Sequence, residues 1–374
     1  MTYRMQFTCA MEQLVSAVSN VQRAVAAKSA VPALEGILLR TTHNALFIAG
    51  FDMELGITTT IPASVKEIGE IVVSSRLFGD IVRKMPGDSV SFSCDEKGNT
   101  TIRSEMTSFT ISGISAADYP ELPSVNDGVG FTLPQDVLKS MIRQTLFAVA
   151  QPNDPRPICT GTKFELADGK LKLISVDGYR LAMRSEAIDS EENISFVVPG
   201  KTLQEVLKLL GDEETPVSFA VGKRHVVMSI DGYAVISRLL DGEFMAYERT
   251  IPKEIKTTVF ANTRMMMNAV DRASLVINDR MKSPLVCDFK DNVVNISCST
   301  PLGSASDYVE VRQDGKSELM GFNSRFLLDA LKNSETDEIR IELNGALSPM
   351  KILPAEGDSF LFLVLPVRLK NSAN

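Results

Sequence analysis

The sequence predicts an α+β protein built from three copies of one domain. A short amphipathic helix pattern occurs three times, and short alternating runs joined by turn residues surround each copy. Successive copies lie about 125 positions apart, which is the size of one ordinary domain. The 374 residues therefore divide into three domains of similar length, each with antiparallel sheet and two helices.

The first copy of the repeated helix is predicted at residues 75–85. We expect Ser75 to cap it, because a serine oxygen can accept a hydrogen bond from a first-turn amide. Arg76, Asp80 and Arg83 lie on one side, with the acid between two bases at helical spacing. The apolar residues form a stripe on the other side: Leu77, Phe78, Ile81, Val82 and Met85.

The charge pattern of this helix returns in the same register at residues 200–210 and 324–332. A solvated face tied by weak ion pairs would explain one such helix. Three copies in one register indicate an arranged basic surface. The aligned positions are Arg76 with Lys201 and Arg325, Asp80 with Glu205 and Asp329, and Arg83 with Lys208 and Lys332.

A second helix is predicted before each copy, at residues 12–25, 135–149 and 264–277. Turn residues mark hairpins at 43–44, 168–169 and 291–292. Proline-containing linkers follow the first and second domains, at 118–123 and 248–252. We predict domain boundaries at 1–128, 129–252 and 253–374.

The composition limits the classes of function. The net charge of −8 predicts that nucleic acid would be bound only through a local basic surface. Five scattered cysteines argue against a disulfide framework or a zinc site, and no metal or cofactor is expected. No apolar run is long enough to cross a bilayer and no signal peptide is recognised, so we expect a cytoplasmic protein without a membrane partner.

No motif predicts a catalytic site. Pro199-Gly200-Lys201-Thr202 resembles the end of a phosphate-binding loop, but Ser195 stands where that motif needs glycine. Asp52 and Glu54 could form a carboxylate pair for acid–base chemistry, which leaves an enzyme as one alternative. Because Asp52 recurs as Asp177, a structural corner is the preferred interpretation. A repeat scaffold that binds only peptides is the other alternative.

Two segments break the repeat. Residues 177–184 carry a Gly-Tyr-Arg sequence that the first and third domains lack at this place. Residues 362–369 form an apolar end in which Pro366 should stop a fully paired strand. Such departures indicate a site, because the common scaffold does not need them.

Together these residues make the chain similar to the family of the bacterial DNA polymerase III beta subunit, the sliding clamps. The similarity covers the whole chain, and several motifs in the same order make it specific. The motifs are Val-Pro-Ala-Leu-Glu-Gly-Ile at 31–37, Gly-Phe-Asp-Met-Glu at 50–54, Asp-Tyr-Pro at 118–120, Asp-Gly-Tyr-Arg-Leu-Ala at 177–182, Arg-Ala-Ser-Leu at 272–275, Gly-Phe-Asn at 321–323 and Leu-Pro-Val-Arg-Leu at 365–369.

The resemblance implies a non-catalytic processivity factor with the DNA clamp fold. It implies a head-to-tail homodimer that closes into a ring around duplex DNA, with sheets outside and helices inside. The implied partners are an ATP-driven clamp loader, and a replicative polymerase and repair proteins that bind through short linear peptide motifs.

Three groups of site residues are predicted. The basic helix pattern, with nearby basic residues, gives a DNA-binding set: Arg23, Lys28, Arg76, Arg83, Lys139, Arg143, Lys201, Lys208, Arg264, Arg325 and Lys332. The resemblance implies a partner-peptide groove: Cys159, Val176, Gly178, Tyr179, Arg180, Leu181, Met245, Arg249, Thr250, Asn323, Phe326, Leu347, Pro349, Leu363, Leu365, Pro366, Val367, Arg368 and Leu369. It also implies a dimer interface: Ile102, Arg103, Glu105, Thr107, Phe109, Leu275 and Val276.

Details of these sites are expectations of the same kind. The edge strand near residues 102–109 should pair across the dimer with the region 294–300. Leu181, Met245, Leu363 and Leu365 should form the apolar walls of the groove, with Arg180 and Arg368 at its polar rim. Tyr179 and Met245 depart from the histidine and proline that are frequent in the family, and residues 370–374 extend beyond its usual end.

Overall fold

A computed structural model describes residues 4–277 and 283–369. The predicted tail extension at residues 370–374 lies outside them. The described residues contain six α-helices, which lie where the repeat pattern predicts them but end earlier in some cases. They are α1 (Met11–Val21), α2 (Ser75–Lys84), α3 (Gln135–Leu146), α4 (Gly200–Leu209), α5 (Thr263–Ser274) and α6 (Ser324–Lys332).

The strands also follow the repeat. The first repeat has β1 (Met5–Ala10), β2 (Gly36–Thr41), β3 (Ala45–Phe51), β4 (Leu55–Pro62), β5 (Ser64–Glu67), β6 (Glu70–Ser74), β7 (Ser89–Cys94), β8 (Asn99–Ser104) and β9 (Thr107–Ile114). The second has β10 (Val129–Pro134), β11 (Gly161–Ala167), β12 (Lys170–Val176), β13 (Arg180–Ala187), β14 (Ile194–Pro199), β15 (Pro216–Val221), β16 (His225–Ile230) and β17 (Tyr233–Arg238). The third has β18 (Thr257–Asn262), β19 (Leu285–Lys290), β20 (Val293–Thr300), β21 (Gly303–Glu310), β22 (Arg312–Gly315), β23 (Glu318–Phe322), β24 (Glu338–Leu343), β25 (Met350–Pro354) and β26 (Phe360–Val364).

The chain forms two compact units, and the second repeat contributes to both. Of the described residues, the first unit holds those up to Asp136 together with Glu205–Leu239. The second holds Val137–Gln204 together with those from Leu240 onward. The predicted boundaries at 128 and 252 describe the repeat in the sequence and stay a prediction.

Antiparallel sheets organise each unit. Within the described residues, the first unit has one sheet of 13 strands, in the order β10-β15-β16-β17-β4-β3-β2-β6-β9-β8-β7-β1-β5. The second unit has a nine-stranded sheet, β14-β11-β12-β13-β26-β25-β24-β18-β22, and a four-stranded sheet, β21-β20-β19-β23. The hairpin turn at Asp168 and Gly169 has positive φ at both residues, as a two-residue turn of this type requires.

One kind of strand pair, which we call the joint, connects successive repeats. The last strand of the second repeat, β17, pairs antiparallel with the fourth strand of the first, β4, and Ser237 lies opposite Leu55. The last strand of the third repeat, β26, pairs in the same way with the fourth strand of the second, β13, and Val364 lies opposite Arg180. The equivalent registers show that the joint is a repeated feature.

In the described residues, one last strand and one fourth strand do not take part in a joint. The last strand of the first repeat, β9, pairs with β8 and meets β6 only at Gly113 and Ile114. The fourth strand of the third repeat, β21, pairs with β20 and has no neighbour on its other side. The expectation that residues 102–109 form an edge strand paired with 294–300 is therefore wrong in part. Both β8 and β20 lie between two neighbours, and Ile102 is fully buried.

Apolar residues on the helices and strands form the cores. Phe7 of β1 stacks on Phe92 of β7 with ring centroids 4.9 Å apart, and Phe78 of α2 packs edge-on against Phe92. Phe131 and Phe219 make the equivalent stacked pair in the second repeat, at 4.5 Å. Since offset aromatic pairs add stabilisation beyond burial, this layer fixes helix α2 on its sheet.

Three details of the helices differ from or add to the sequence prediction. Ser74, not Ser75, occupies the cap position of α2, and its side chain makes no capping hydrogen bond. Leu77 is 47% exposed, although the periodicity predicts it in the buried apolar stripe. Asn323 caps α6, since its side-chain oxygen accepts from the amides of Arg325 and Phe326. No helix in the described ranges is long and apolar enough to span a membrane.

Candidate partner-binding groove and nucleic-acid interface

The groove residues implied by the sequence all lie in the second compact unit. The joint between β13 and β26 brings the two asymmetric segments together. Leu181 lies opposite Leu363, and the amide of Leu365 donates to the carbonyl oxygen of Tyr179 at 2.9 Å. The Gly-Tyr-Arg segment and the end of the chain are therefore neighbours because of strand pairing.

The apolar part of the groove has a buried floor. Leu181 and Leu363 are 2% and 1% exposed, and they pack with the buried ring of Tyr247. Half-buried Met245 packs both on this cluster and on a second one that contains Cys159 and Val176. Of the four predicted wall residues, Leu181 and Leu363 form the floor, and Met245 and the 40% exposed Leu365 are the ones a ligand can reach.

Arg180 is a buried anchor, and the expectation that it lies at the polar rim is wrong. Arg180 is only 7% exposed. Its Nε donates to Asp177 at 3.0 Å and its Nη1 donates to Asp329 at 2.6 Å. The guanidinium lies 4.6 Å from the ring centre of Phe326 and 5.6 Å from that of Phe147. Two carboxylates and two aromatic faces therefore satisfy the charge and fix the start of β13 to α6.

Sequence reasoning missed Asp329 and Phe147 as supports of this site. In the sequence Asp329 fits the repeat as the acid of the helix face. In the first two repeats the equivalent acid does pair with its own helix: Asp80 with Arg83 at 2.9 Å, and Glu205 with Lys208 at 2.8 Å. In the third repeat the acid reaches Arg180 instead, which nothing in the local pattern indicates.

The exposed part of the groove is aromatic. Tyr179 is 63% exposed and stacks on Phe326 with centroids 5.9 Å apart. Gly178 has φ +90°, and a Cβ there would come within 3.0 Å of the guanidinium of Arg156. Arg156 in turn donates to the carbonyl oxygen of Asp177 at 3.0 Å. Glycine is thus required by backbone conformation and by the packing of Arg156.

The end of the chain completes the groove. The predicted effect of Pro366 is confirmed, since β26 ends at Val364. Val367 makes an isolated bridge to Gly321, and Leu369 lies so close to Gly321 that a Cβ would meet it at 2.6 Å. Val367 remains 40% exposed. Other predicted groove residues are exposed or half-buried: Arg249, Thr250, Leu347, Pro349, Pro366 and Arg368.

The predicted DNA-binding residues lie on the helices and the segments that follow them. Arg23 and Lys139 are half-buried, and the other nine are exposed. Arg83 and Lys208 are held by acids of their own helices, as described above. Because these pairs are exposed, each contributes little to stability, and the cations stay accessible to phosphate.

The predicted dimer residues lie in both units. Phe109 on the free part of β9 is 40% exposed, and Leu275 after α5 is 81% exposed. Val276 is half-buried against the core of the second unit. Exposed large apolar residues beside unpartnered strands are typical of protein–protein contacts.

Asp52 and Asp177 have a structural role that matches the preferred interpretation. Each accepts from the amides two and three residues later, at 3.0 and 2.7 Å for Asp52 and at 2.9 and 3.1 Å for Asp177. Thr300 accepts from the amide two residues later at 3.1 Å. The three residues form one recurring corner before the fourth strand of each repeat.

The cysteine thiols are buried. Burial raises the pKa of the Cys159 thiol, and it raises that of Cys287 to about 12. Both therefore carry a neutral thiol near neutral pH, which suits packing and not nucleophilic chemistry. Among the described residues, no three His, Cys, Asp or Glu side chains converge as metal ligands.

Comparison with known proteins gives matches along the whole chain. Family models match in order: DNA polymerase III beta subunit, N-terminal domain, at residues 5–123; central domain, at 132–245; and C-terminal domain, at 248–368. The beta sliding clamps of Halalkalibacterium halodurans and Bacillus subtilis are both 32% identical over 97% of this chain and 100% of theirs.

Solved structures agree with the sequence matches. The crystal structure of the Bacillus subtilis DNA polymerase sliding clamp has a TM-score of 0.95 at 30% identity, covering 98% of this chain and 100% of that one. The DNA polymerase III beta subunit of Thermotoga maritima has a TM-score of 0.90 at 28% identity, with the same coverage. The fold is therefore three DNA-clamp domains of α+β type.

We predict that Arg180→Met destabilises the protein by about 3 kcal/mol or more, because it leaves Asp177 and Asp329 without their shared cation. Arg180→Lys should recover only part of this, since a single ammonium cannot make both contacts in the geometry of a guanidinium fork. Urea-induced unfolding measures the difference. As a matched control, Arg156→Met removes an exposed arginine of the same site and should cost less than about 1 kcal/mol. Equal losses for the two arginines would contradict the anchor role.

Proposed function

Because this chain belongs to the family of the DNA polymerase III beta subunit, the beta sliding clamps, we propose that it acts as a head-to-tail homodimer around duplex DNA. It is a DNA sliding clamp, a non-catalytic processivity factor of a DNA polymerase. The order of the three family matches along one chain carries this assignment. Processivity needs a protein that slides but does not dissociate, and a closed ring with weak backbone contacts meets both needs.

The unpartnered strands support the dimer. In the chain, the last strand of each later repeat pairs with the fourth strand of the repeat before it. The last strand of the first repeat, β9, and the fourth strand of the third, β21, lack such a pair in the described residues. A joint between β9 of one copy and β21 of another would continue the series, and two such joints would close a ring of two copies.

The joints within the chain also predict the register of this contact. Gly303 comes three residues after the corner residue Thr300. Leu55 and Arg180 likewise come three residues after Asp52 and Asp177, so the three positions are equivalent. Thr107 and Tyr233 each follow a two-residue hairpin turn. Since Tyr233 lies opposite Thr59 in the first joint, Thr107 should lie opposite Asp307 of the second copy. The interface proposed from sequence thus keeps Thr107, Phe109, Leu275 and Val276, and moves its partner strand to β21.

We propose that the basic helix positions contact the DNA backbone. They repeat in one register, they are mostly exposed, and the chain as a whole carries a charge of −8. A few cations on an otherwise acidic protein attract the phosphates of DNA locally and do not recognise its base sequence. Because such contacts are weak and exchangeable, they permit sliding. We place this activity in the bacterial cytoplasm, where chromosomal DNA lies.

The groove at the joint of β13 and β26 is the proposed binding site for partner proteins. Exposed Tyr179, Leu365 and Val367 surround a buried apolar floor, which suits an extended peptide with leucine or phenylalanine anchors. The proposed partners are the replicative polymerase, repair proteins and the clamp loader. The asymmetry supports one groove of this kind per chain, because Arg180 replaces Leu55 and Gly303 of the other repeats.

The register makes a direct test of the dimer possible. Ser108 and Ser306 should lie directly opposite each other, so Ser108→Cys with Ser306→Cys should form covalent dimers on mild oxidation, seen on a non-reducing gel. The native thiols are buried and should not compete. Ser108→Cys with Ser304→Cys, shifted along the same strand face, is the matched control and should cross-link much less.

The apolar contact can be tested separately. Leu275→Asp with Val276→Asp should give monomers in sedimentation, because charges would then be buried in the contact. Cross-linking that is equal for both cysteine pairs would contradict the register. A charged double variant that stays dimeric would exclude Leu275 and Val276 from the interface.

Charge reversal tests the DNA contact. Arg76→Glu, Arg264→Glu and Arg325→Glu together should lower retention on circular DNA by about tenfold or more at low salt, since each reversed charge removes a phosphate contact and adds repulsion. The difference from wild type should shrink at high salt, where the wild-type contacts are already screened. Retention is measured after gel filtration of loaded circles.

The control reverses three exposed lysines that lie away from the α-helices: Lys66→Glu, Lys97→Glu and Lys316→Glu. It changes the net charge equally and should leave retention nearly unchanged. If both triple variants lose retention alike, the effect comes from total charge, and the helix faces have no special role.

The groove is tested with a peptide of glutamine, leucine, alanine, leucine and phenylalanine. Leu365→Ala with Leu369→Ala should weaken binding in a titration by about tenfold or more, because burial of an apolar side chain contributes about 1.5–3 kcal/mol. The melting temperature should change little, since Leu365 is partly exposed and Leu369 is half-buried. Unchanged affinity in the folded double variant would remove the groove from this place.

A further inference from the structure

The first unit contains a cleft that none of the proposed activities uses. Its volume is about 230 Å³. It lies where β2, β6 and the end of β9 meet the short helical turn Pro32–Glu35. The lining residues that matter here are Val72, Ser74, Ser112 and Ile114.

These residues occupy the positions in the first repeat that form the partner groove in the third. Ser74 stands directly before α2 as Asn323 stands directly before α6, although only Asn323 makes a capping hydrogen bond. Ile114 bridges to Val72 as Val367 bridges to Gly321. Ser112 is therefore the equivalent of Leu365.

A neighbouring residue extends the equivalence. Leu77 on α2 corresponds to Phe326 on α6 in the aligned helix pattern. Leu77 is 47% exposed, although the other residues of its stripe are buried. The cleft and the adjoining helix thus repeat three positions that the third repeat contributes to the groove: the end of the last strand, the residue before the helix and an apolar third residue of the helix.

One element of the partner groove has no counterpart beside the cleft in the described residues of the chain: the corner that precedes a fourth strand. In the partner groove that corner is Gly178–Tyr179, from the preceding repeat. At the proposed dimer joint, the corner at residues 300–303 of a second copy would take this place. Leu302 in this corner corresponds to Tyr179 and is 67% exposed. A second copy would therefore complete the cleft.

Formation of the joint does not close such a site. The joint between β13 and β26 is already made in the chain, and Tyr179, Leu365 and Val367 there remain 63%, 40% and 40% exposed. By equivalence, the cleft in the first repeat should stay open when β9 pairs with β21 of a second copy.

The chemistry of the cleft differs from that of the principal groove. Its volume is below the usual range of about 300–1,000 Å³ for sites of drug-sized ligands, so it suits one aliphatic side chain and the adjoining backbone. Ile114, which is 43% exposed, provides the apolar contact, while its strand partner Val72 is fully buried. The hydroxyl of Ser74, which makes no capping bond, and that of Ser112 can bond peptide carbonyl or amide groups.

We propose that this cleft, completed by Leu302 of a second copy, is a second and weaker site for a short extended peptide with an aliphatic anchor. The inference rests on the proposed head-to-tail dimer. A partner with two such segments could then occupy the principal groove and the subunit joint together, which raises its overall affinity without a new strong contact.

The test uses the full-length dimer and the five-residue peptide named above. In calorimetric titration, the wild type should bind one peptide per chain strongly and a second about tenfold or more weakly. Ile114→Glu alone should remove the weak event and leave the strong one, because a charge would replace the apolar wall of the cleft. Leu365→Ala with Leu369→Ala should weaken only the strong event. Ile68→Glu is the matched control: Ile68 is an isoleucine of the same unit outside the cleft, 56% exposed against 43% for Ile114, and its change should leave the weak event intact.

Sedimentation separates the outcomes. If Ile114→Glu disturbs the dimer, Ser74→Phe fills the cleft from the end of β6 without changing β9 and serves in its place. A dimer with no weak event, or with one that both cleft variants leave unchanged, overturns the second site alone. A monomeric wild type overturns the proposed dimer and the site together. A strong event insensitive to Leu365→Ala with Leu369→Ala overturns only the principal groove.

Discussion

The structure depends on one contact, the antiparallel joint between the last strand of a repeat and the fourth strand of the repeat before it. A single repeat would leave both strands with rows of unsatisfied amide and carbonyl groups, which is costly and promotes association. Joining repeats satisfies these groups in pairs and makes one sheet out of parts of two domains. In the described residues the same arrangement leaves β9 and β21 without a joint, and this is the basis of the proposed assembly with a second copy.

The proposed partner groove lies at the joint between β13 and β26, where the residue after the corner differs from that of the other two repeats. At the equivalent positions the first and third repeats have Leu55 and Gly303, and the second has Arg180. A buried guanidinium needs compensating charge, which Asp177 and Asp329 supply from the corner and from α6. The acid of the third repeated helix is thus removed from its usual pair on the helix surface. The groove and the basic face of α6 consequently share one residue, Asp329.

Periodicity alone predicted the helices, their apolar faces and the recurring corner, because local geometry determines them. The register of Arg76, Lys201 and Arg325 located three helix starts within a residue. Which strand keeps a free side was not predictable: β8 and β9 alternate alike, and only the pairing in three dimensions gives β8 two full neighbours and leaves residues 107–112 of β9 paired on one side. The burial of Arg180 was missed for a related reason, since its partner Asp329 is distant in sequence and no local pattern indicates the contact.

The division of the second repeat between two compact units has a consequence for synthesis on the ribosome. Strand β4 lacks its joint partner until β17 has been made, much later in the chain. The first sheet is therefore incomplete while only the first repeat has emerged. Strand β13 waits for Phe360–Val364, close to the end of the chain. The strand that begins with Arg180 therefore lacks this partner until β26 has been made, and over that interval the nascent chain must be kept from pairing with its neighbours.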